Sequence, residues 1–188
     1  RAIGTRYTAT RAEARQHKIR YLPEEPLRNA CAPKMSVADN LAFKMFDVRR
    51  NGRPAFWCSR KDMARNADRL IAEFNVKTTS PDARIASLSG GNVQRAVLGR
   101  ELTGEVNALI ISNPCFGLDF GAVSAIRDRI IEARNNGTAV LLISEDLDEI
   151  MELSDRILVM SEGRIAFETT AAAADLTEIG QHMAGHAA

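Results

Sequence analysis

Residues 87–92 read Ser-Leu-Ser-Gly-Gly-Asn and lead into NVQRAVLGREL (92–102), where Val93, Ala96 and Val97 fall on one helical face. The first backbone N–H groups of a helix have no internal partners, and the helix dipole adds partial positive charge there. Glycines at Gly90 and Gly91 remove the side chains that would hold an anion away, and Ser89 adds a hydroxyl donor. The chemistry on offer is contact with a phosphate. On Ser-Gly-Gly alone, a plain glycine loop with a serine N-cap accounts for the string equally well.

A second stretch, ALIISNPCFGLD (108–119), runs four apolar residues into Ser-Asn-Pro and a short loop ending on Asp119. It reads as a buried strand carrying polar side chains to a sheet edge. Ser112 and Asn113 are uncharged, whereas a strand serving phosphoryl transfer presents carboxylates to hold Mg²⁺ and polarise water.

The elements that must position these residues alternate regularly behind SLSGGN. ALIIS (108–112), AVLLIS (139–144), RILVMS (156–161) and EGRIAFE (162–168, turn and strand) are predicted strands. GAVSAIRDRIIEARNNG (121–137), DLDEIMELS (146–154) and 176–183 are predicted helices. Unbroken apolar strands alternating with amphipathic helices imply an α/β fold with a mostly parallel sheet covered on both faces. Upstream, ATRAEARQH (9–17) suggests a short exposed helix, IRYLP (19–23) a strand, and EEPLRNACAP (24–33) a loop. Ser36 caps a helix including VADNLAFKMF (37–46), with Asp39 as its capping-box partner, and RRNGRP (49–54) is turn-like. Met63, Ala67, Leu70, Ile71 and Phe74 form one helical stripe, which ordinary packing explains.

The 188 residues are 45% hydrophobic, enough for one compact domain with a small subdomain. A net charge of +1 and 5% aromatics speak against whole-domain attraction to nucleic acid or an anionic membrane. Cys31, Cys58 and Cys115 are odd in number and far apart, which fits reduced thiols. No apolar run approaches the roughly 20 residues of a membrane-spanning helix. The chain opens at Arg1 without a methionine, and a piece of a longer protein is the expectation.

LSGGNVQRAVLGREL resembles the signature motif of ABC-type ATPases, in the LSGGN-x-Q-R form of simple-sugar and nucleoside importers. The N-P-x-x-G-L-D loop, ISEDLDEI and SDRILVMSEGRI continue the likeness, and YLPEE with MSVADNL matches the start of the same domain. It covers the chain from about Lys18 onward. The family likeness implies an incomplete P-loop NTPase core (ABC ATPase-type) with a small helical subdomain over about residues 34–104. It also implies the second of two tandem ATPase domains, lacking the Walker A strand and loop: the sequence contains no G-x-x-x-x-G-K-[ST].

Carried over residue by residue, the likeness implies that Ser112 replaces the Mg²⁺-orienting aspartate and Asn113 the catalytic glutamate. Glu145 replaces the switch histidine, and Glu24 the usual glutamine after the YLP strand. The chain's own site is thereby expected to be degenerate and the fragment alone inactive. Ser89, Gly90, Gly91, Asn92 and Gln94 are retained and are expected to serve, in trans, ATP and Mg²⁺ held mainly by the partner domain. Asp119 is expected at the contact between the two domains. The implied partners are the N-terminal ATPase domain of the same parent chain and membrane-embedded permease subunits, with no nucleic acid. The implied place is the cytoplasmic face of a bacterial plasma membrane. An assembly module without catalysis, or a soluble ABC ATPase acting on nucleic acid, are the competing readings.

Other polar groups have ordinary explanations. His17, His182 and His186 are scattered, and Glu145, Asp146, Asp148 and Glu149 open a helix, where the dipole favours negative charge. Arg49, Arg50 and Arg53 form a solvated basic turn, while Met35, Phe43 and Phe46 suit either core packing or a membrane-subunit contact. One tension follows from the likeness. Without a P-loop strand, RILVMS is expected to lack its neighbour, and the chain could close the gap, recruit its N-terminal residues or self-associate.

Overall fold

The computed structural model describes residues 8–47, 49–50, 53–54 and 59–185, so Cys58 and His186 lie outside it, as do the side chains of Phe46, Arg49, Arg50 and Arg53. The chain forms two compact units that divide between Ile143 and Ser144.

In the first unit, strands β1 (Ile19–Leu22), β4 (Ala108–Ser112) and β5 (Ala139–Ile143) form a parallel sheet in the order β1-β4-β5. The register sets Leu22 beside Ile111, and Ser112 beside Ile143. Parallel pairing therefore brings the carboxyl ends of all three strands to one edge. Leu22, Leu109 and Ile111 of the sheet are buried, as are Val93, Val97 and Leu98 of helix α5 (Gly90–Glu101) and Ile126 and Ile130 of helix α6 (Phe120–Asn135). Helix α6 closes at Gly137, whose φ of +92° suits a residue without a Cβ, as the Asn-Asn-Gly stop predicts.

Upstream of α5 the unit is helical. Thr10 caps α1 (Arg11–Gln16) by accepting from the Glu13 N–H. The segment 24–33, predicted as a loop, instead contains helix α2 (Pro26–Asn29), because Pro26 sits in the first turn, where its missing N–H costs nothing. The predicted capping box forms: the Asp39 N–H donates to Ser36 Oγ at 3.0 Å and the Ser36 N–H to Asp39 Oδ2 at 3.3 Å. Helix α3 (Val37–Leu41) is shorter than predicted, since the backbone tightens into a 3-10 turn over Ala42–Asp47. The predicted turn at 49–54 is a hairpin of two-residue strands, β2 (Arg49–Arg50) and β3 (Arg53–Pro54). Helix α4 (Arg60–Glu73) buries Ala67 and Leu70, as its stripe predicts.

The second unit holds helix α7 (Leu147–Leu153), strands β6 (Arg156–Ser161) and β7 (Arg164–Thr170), and helix α8 (Leu176–Met183). RILVMS does not stand alone: β6 pairs antiparallel with β7. The turn between them, Glu162-Gly163, has φ of +51° and +76°, the positive values a tight hairpin needs to match strand twist. Ile157, Val159 and Ile179 form the core, with Leu147, Ile150 and Phe167 packed against it. The acidic cluster also has its structural use, because Asp146 Oδ1 accepts from the Asp148 and Glu149 N–H groups at the start of α7. In the first unit, β5 has β4 as its sole strand neighbour among the described residues, and Leu141 and Ile143 are exposed.

Candidate phosphate-contact site

Helix α5 starts two residues earlier than its apolar face predicts, so Gly90 and Gly91 are its first two residues and Ser89 its N-cap. The amides of Gly90 and Gly91 therefore lack intrahelical acceptors and lie at the positive end of a 12-residue helix. Ser89 and Gly90 are exposed. Gly91 also permits close packing: a Cβ there would sit 3.2 Å from the Cβ of Ala122, at the start of α6.

Ser89 does not cap its helix through its side chain. Instead, Asn92 Nδ2 donates to Ser89 Oγ at 2.8 Å, while Asn92 Oδ1 accepts from the Lys77 N–H at 2.7 Å. Accepting from Asn92 leaves the Ser89 hydroxyl proton available as a donor. Asn92 thus orients the serine. Its own amide is turned back onto the chain.

Gln94 is only 5% exposed, and its Nε2 donates to the carbonyl of Pro114 at 2.7 Å. It faces the Ser112–Asp119 loop rather than the open end of the nest. Asp119 caps α6, with Oδ1 accepting from the Ala122 N–H at 2.9 Å. The sequence reading overlooked Arg95, whose two terminal nitrogens donate to the carbonyls of Asn75 and Gly121, each at 3.2 Å. The available signal was a long cation next to Gln94 at the front of a helix buried along most of its length.

Ser112 ends β4, and Glu24 follows β1 in the parallel neighbour, its carbonyl accepting from Asn29 Nδ2 at 2.7 Å. Asn113 has φ of +45°, a left-handed conformation that asparagine tolerates better than most residues, and its N–H donates to the Ile143 carbonyl at 2.8 Å. Glu145 is exposed and belongs to the second unit. Among the described residues no group of three or more His, Cys, Asp or Glu side chains could hold a metal ion. Ser112 and Asn113, at the end of β4, carry no charge.

No family model matches the chain. Individual relatives do. The glucose import ATP-binding protein TsgD13 of Haloferax volcanii is 39% identical over 89% of this chain and 30% of its own length. The nucleoside import ATP-binding protein NupA of Lactococcus lactis is 35% identical over 90% of this chain and 33% of its own. The chain therefore spans about a third of the length of the curated relatives it matches. In fold it is similar to the dimeric bacterial ABC transporter cassette MJ0796, with a TM-score of 0.69 at 18% identity, over 84% of this chain and 65% of that one. With relatives 35–39% identical across nine-tenths of its length and a cassette fold beneath them, the chain belongs with the ABC-type ATP-binding proteins, and those it is similar to are named for glucose and nucleoside import.

Proposed function

We propose that the chain works as the second nucleotide-binding domain of an importer for a simple sugar or nucleoside. In this reading it presents the Ser89 hydroxyl and the Gly90 and Gly91 amides to the γ-phosphate of ATP carried by a partner ATPase domain. One observation carries the reading: two glycine amides, of an exposed Gly90 and a half-buried Gly91, head α5 beside an exposed serine whose oxygen accepts from Asn92. Bound ATP supplies the bond to be broken, and Mg²⁺ would come with the partner. This chain's part is electrostatic, since pre-oriented donors stabilise charge that develops on the phosphoryl oxygens and need no reorganisation at that moment. Its own strand end, with Ser112 and Asn113 in place of two carboxylates, neither orients a metal nor accepts a proton.

No helix among the described residues is long and apolar enough to cross a membrane. Work at the cytoplasmic face, against permease subunits in the bilayer, is part of the same proposal. The test is Ser89→Arg in the assembled transporter. The expected result is a loss of ATPase activity on the order of a hundredfold, the scale seen when a single transition-state donor is removed. Unchanged turnover overturns the reading.

A specific observation supports a second reading, that of an assembly module without a part in hydrolysis. Phe116 and Phe120, which flank Asp119, are 80% and 95% exposed. Aromatic side chains left in water at this level are the usual anchors of protein interfaces. Ser89→Arg separates the two readings, because a pure docking module tolerates it while Phe116→Ala with Phe120→Ala abolishes assembly.

A further inference from the structure

Two consecutive residues of α5 grip the loop that runs from β4 to α6 at its two ends. Gln94 donates to Pro114, at the entry of the loop, and Arg95 donates to Gly121, in the first turn of α6 just past its exit. Between these anchor points lie Phe116 and Asp119, with Leu118 reaching the N-terminus of α5: its Cδ2 is 3.7 Å from where a Gly91 Cβ would stand. Two backbone bonds inside the loop are long, the Phe116 N–H to the Asn113 carbonyl at 3.3 Å and the Leu118 N–H to the Cys115 carbonyl at 3.3 Å. Its entry passes through the left-handed Asn113. The ties from α5 at its two ends add to these long bonds in holding the segment's shape.

We infer that Gln94 and Arg95 are positioning residues, a two-point brace that fixes the Pro114–Gly121 loop to α5 so that the amide nest and the Phe116–Asp119 surface present themselves as one rigid face. Gln94 then acts through the loop and makes no contact with nucleotide. The inference rests on the proposed function for its catalytic consequence, but the brace itself is a property of this chain alone. Geometry explains why the residues are adjacent. Successive helical side chains point about 100° apart, so neighbours on α5 can reach opposite ends of a loop that crosses over the helix start.

The experiment uses Gln94→Glu, which keeps the shape and replaces the donor by an acceptor facing the Pro114 carbonyl, and Arg95→Met, which keeps the aliphatic stem. Hydrogen exchange on the 188-residue chain without nucleotide is expected to accelerate at least tenfold at Phe116 and Leu118, with the amides of α5 from Val97 onward unchanged. In the assembled transporter each variant is expected to lower kcat at least tenfold at an unchanged KM for ATP, and Arg95→Lys, which keeps a donor, to restore part of it. Unchanged exchange in both variants overturns the brace, whatever Ser89→Arg does. Faster exchange with kcat intact overturns its catalytic role. A silent Ser89→Arg beside faster exchange removes the functional reading and leaves the brace supported.

Discussion

Gly99 of α5 lies against the ring of Phe74, and a Cβ at Gly99 would come within 2.7 Å of Phe74 Cδ2 and 2.9 Å of Cγ. The ring is buried and carries the Arg129 guanidinium 4.9 Å from its centroid, so it has little freedom to retreat. Two effects of Gly99→Ala oppose each other. Helix propensity favours alanine by about 1 kcal/mol, while overpacking a dense core costs roughly 1–3 kcal/mol. A contact this short puts sterics ahead. The expected outcome is a lower urea midpoint at unchanged slope; a raised midpoint would show that Phe74 moves freely.

The far end of α5 predicts a larger loss. Arg100 is buried, with Nη1 donating to the carbonyls of Ala30 at 2.9 Å and Asn40 at 3.3 Å, and Nε donating to Glu101 at 3.0 Å. Glu101 is buried as well and takes Lys44 at 3.2 Å. Arg100→Met takes a donor from the Ala30 and Asn40 carbonyls and weakens the pairing of a buried carboxylate, a change that typically costs about 3–5 kcal/mol. Adding Glu101→Leu removes the stranded charge and is expected to recover part of that loss. Chemical denaturation of the single and double variants checks it, and an Arg100→Met protein as stable as the parent contradicts the burial argument.

Cys31 gives a prediction for pH. Burial pushes its thiol up to about 11, against a smaller opposing pull from Arg100. The folded state favours the protonated form. This contribution to stability is complete below the ordinary thiol range near 9 and is lost as pH rises toward 11. At pH 8 the reactive thiolate is therefore scarce. Alkylation of Cys31 is expected to be at least tenfold slower in the native protein than in urea, as read by mass spectrometry of its peptide, and equal rates would refute the burial.

Much of the architecture was legible because the signals were local. The Ser36–Asp39 capping box, the Asn-Asn-Gly stop and the apolar strands ALIIS and AVLLI depend on neighbouring residues, and they appear where the spacing places them. Pro26 misled the reading because proline marks both a loop and a first helical turn, and only the path of the backbone after it distinguishes the two. The turn and strand after RILVMS were read over 162–168, but their pairing with β6 was not drawn. Hairpin closure by Glu162-Gly163 offers β6 a neighbour from its own unit at low entropic cost, without a strand from elsewhere.

The site divides along the same line. Residue types by themselves determined that a bare amide nest heads α5 and that two carboxylates are lacking at the end of β4, because those properties belong to Ser89-Gly90-Gly91 and Ser112-Asn113 as covalent facts. Tertiary structure decided which side chains face outward and which are spent internally. Gln94 turned out to serve a carbonyl 20 positions away and Arg95 one 26 positions away, pairings that arise only when helix and loop pack together. Sequence spacing specifies a helix face, but the acceptors that a face meets are set by the fold around it.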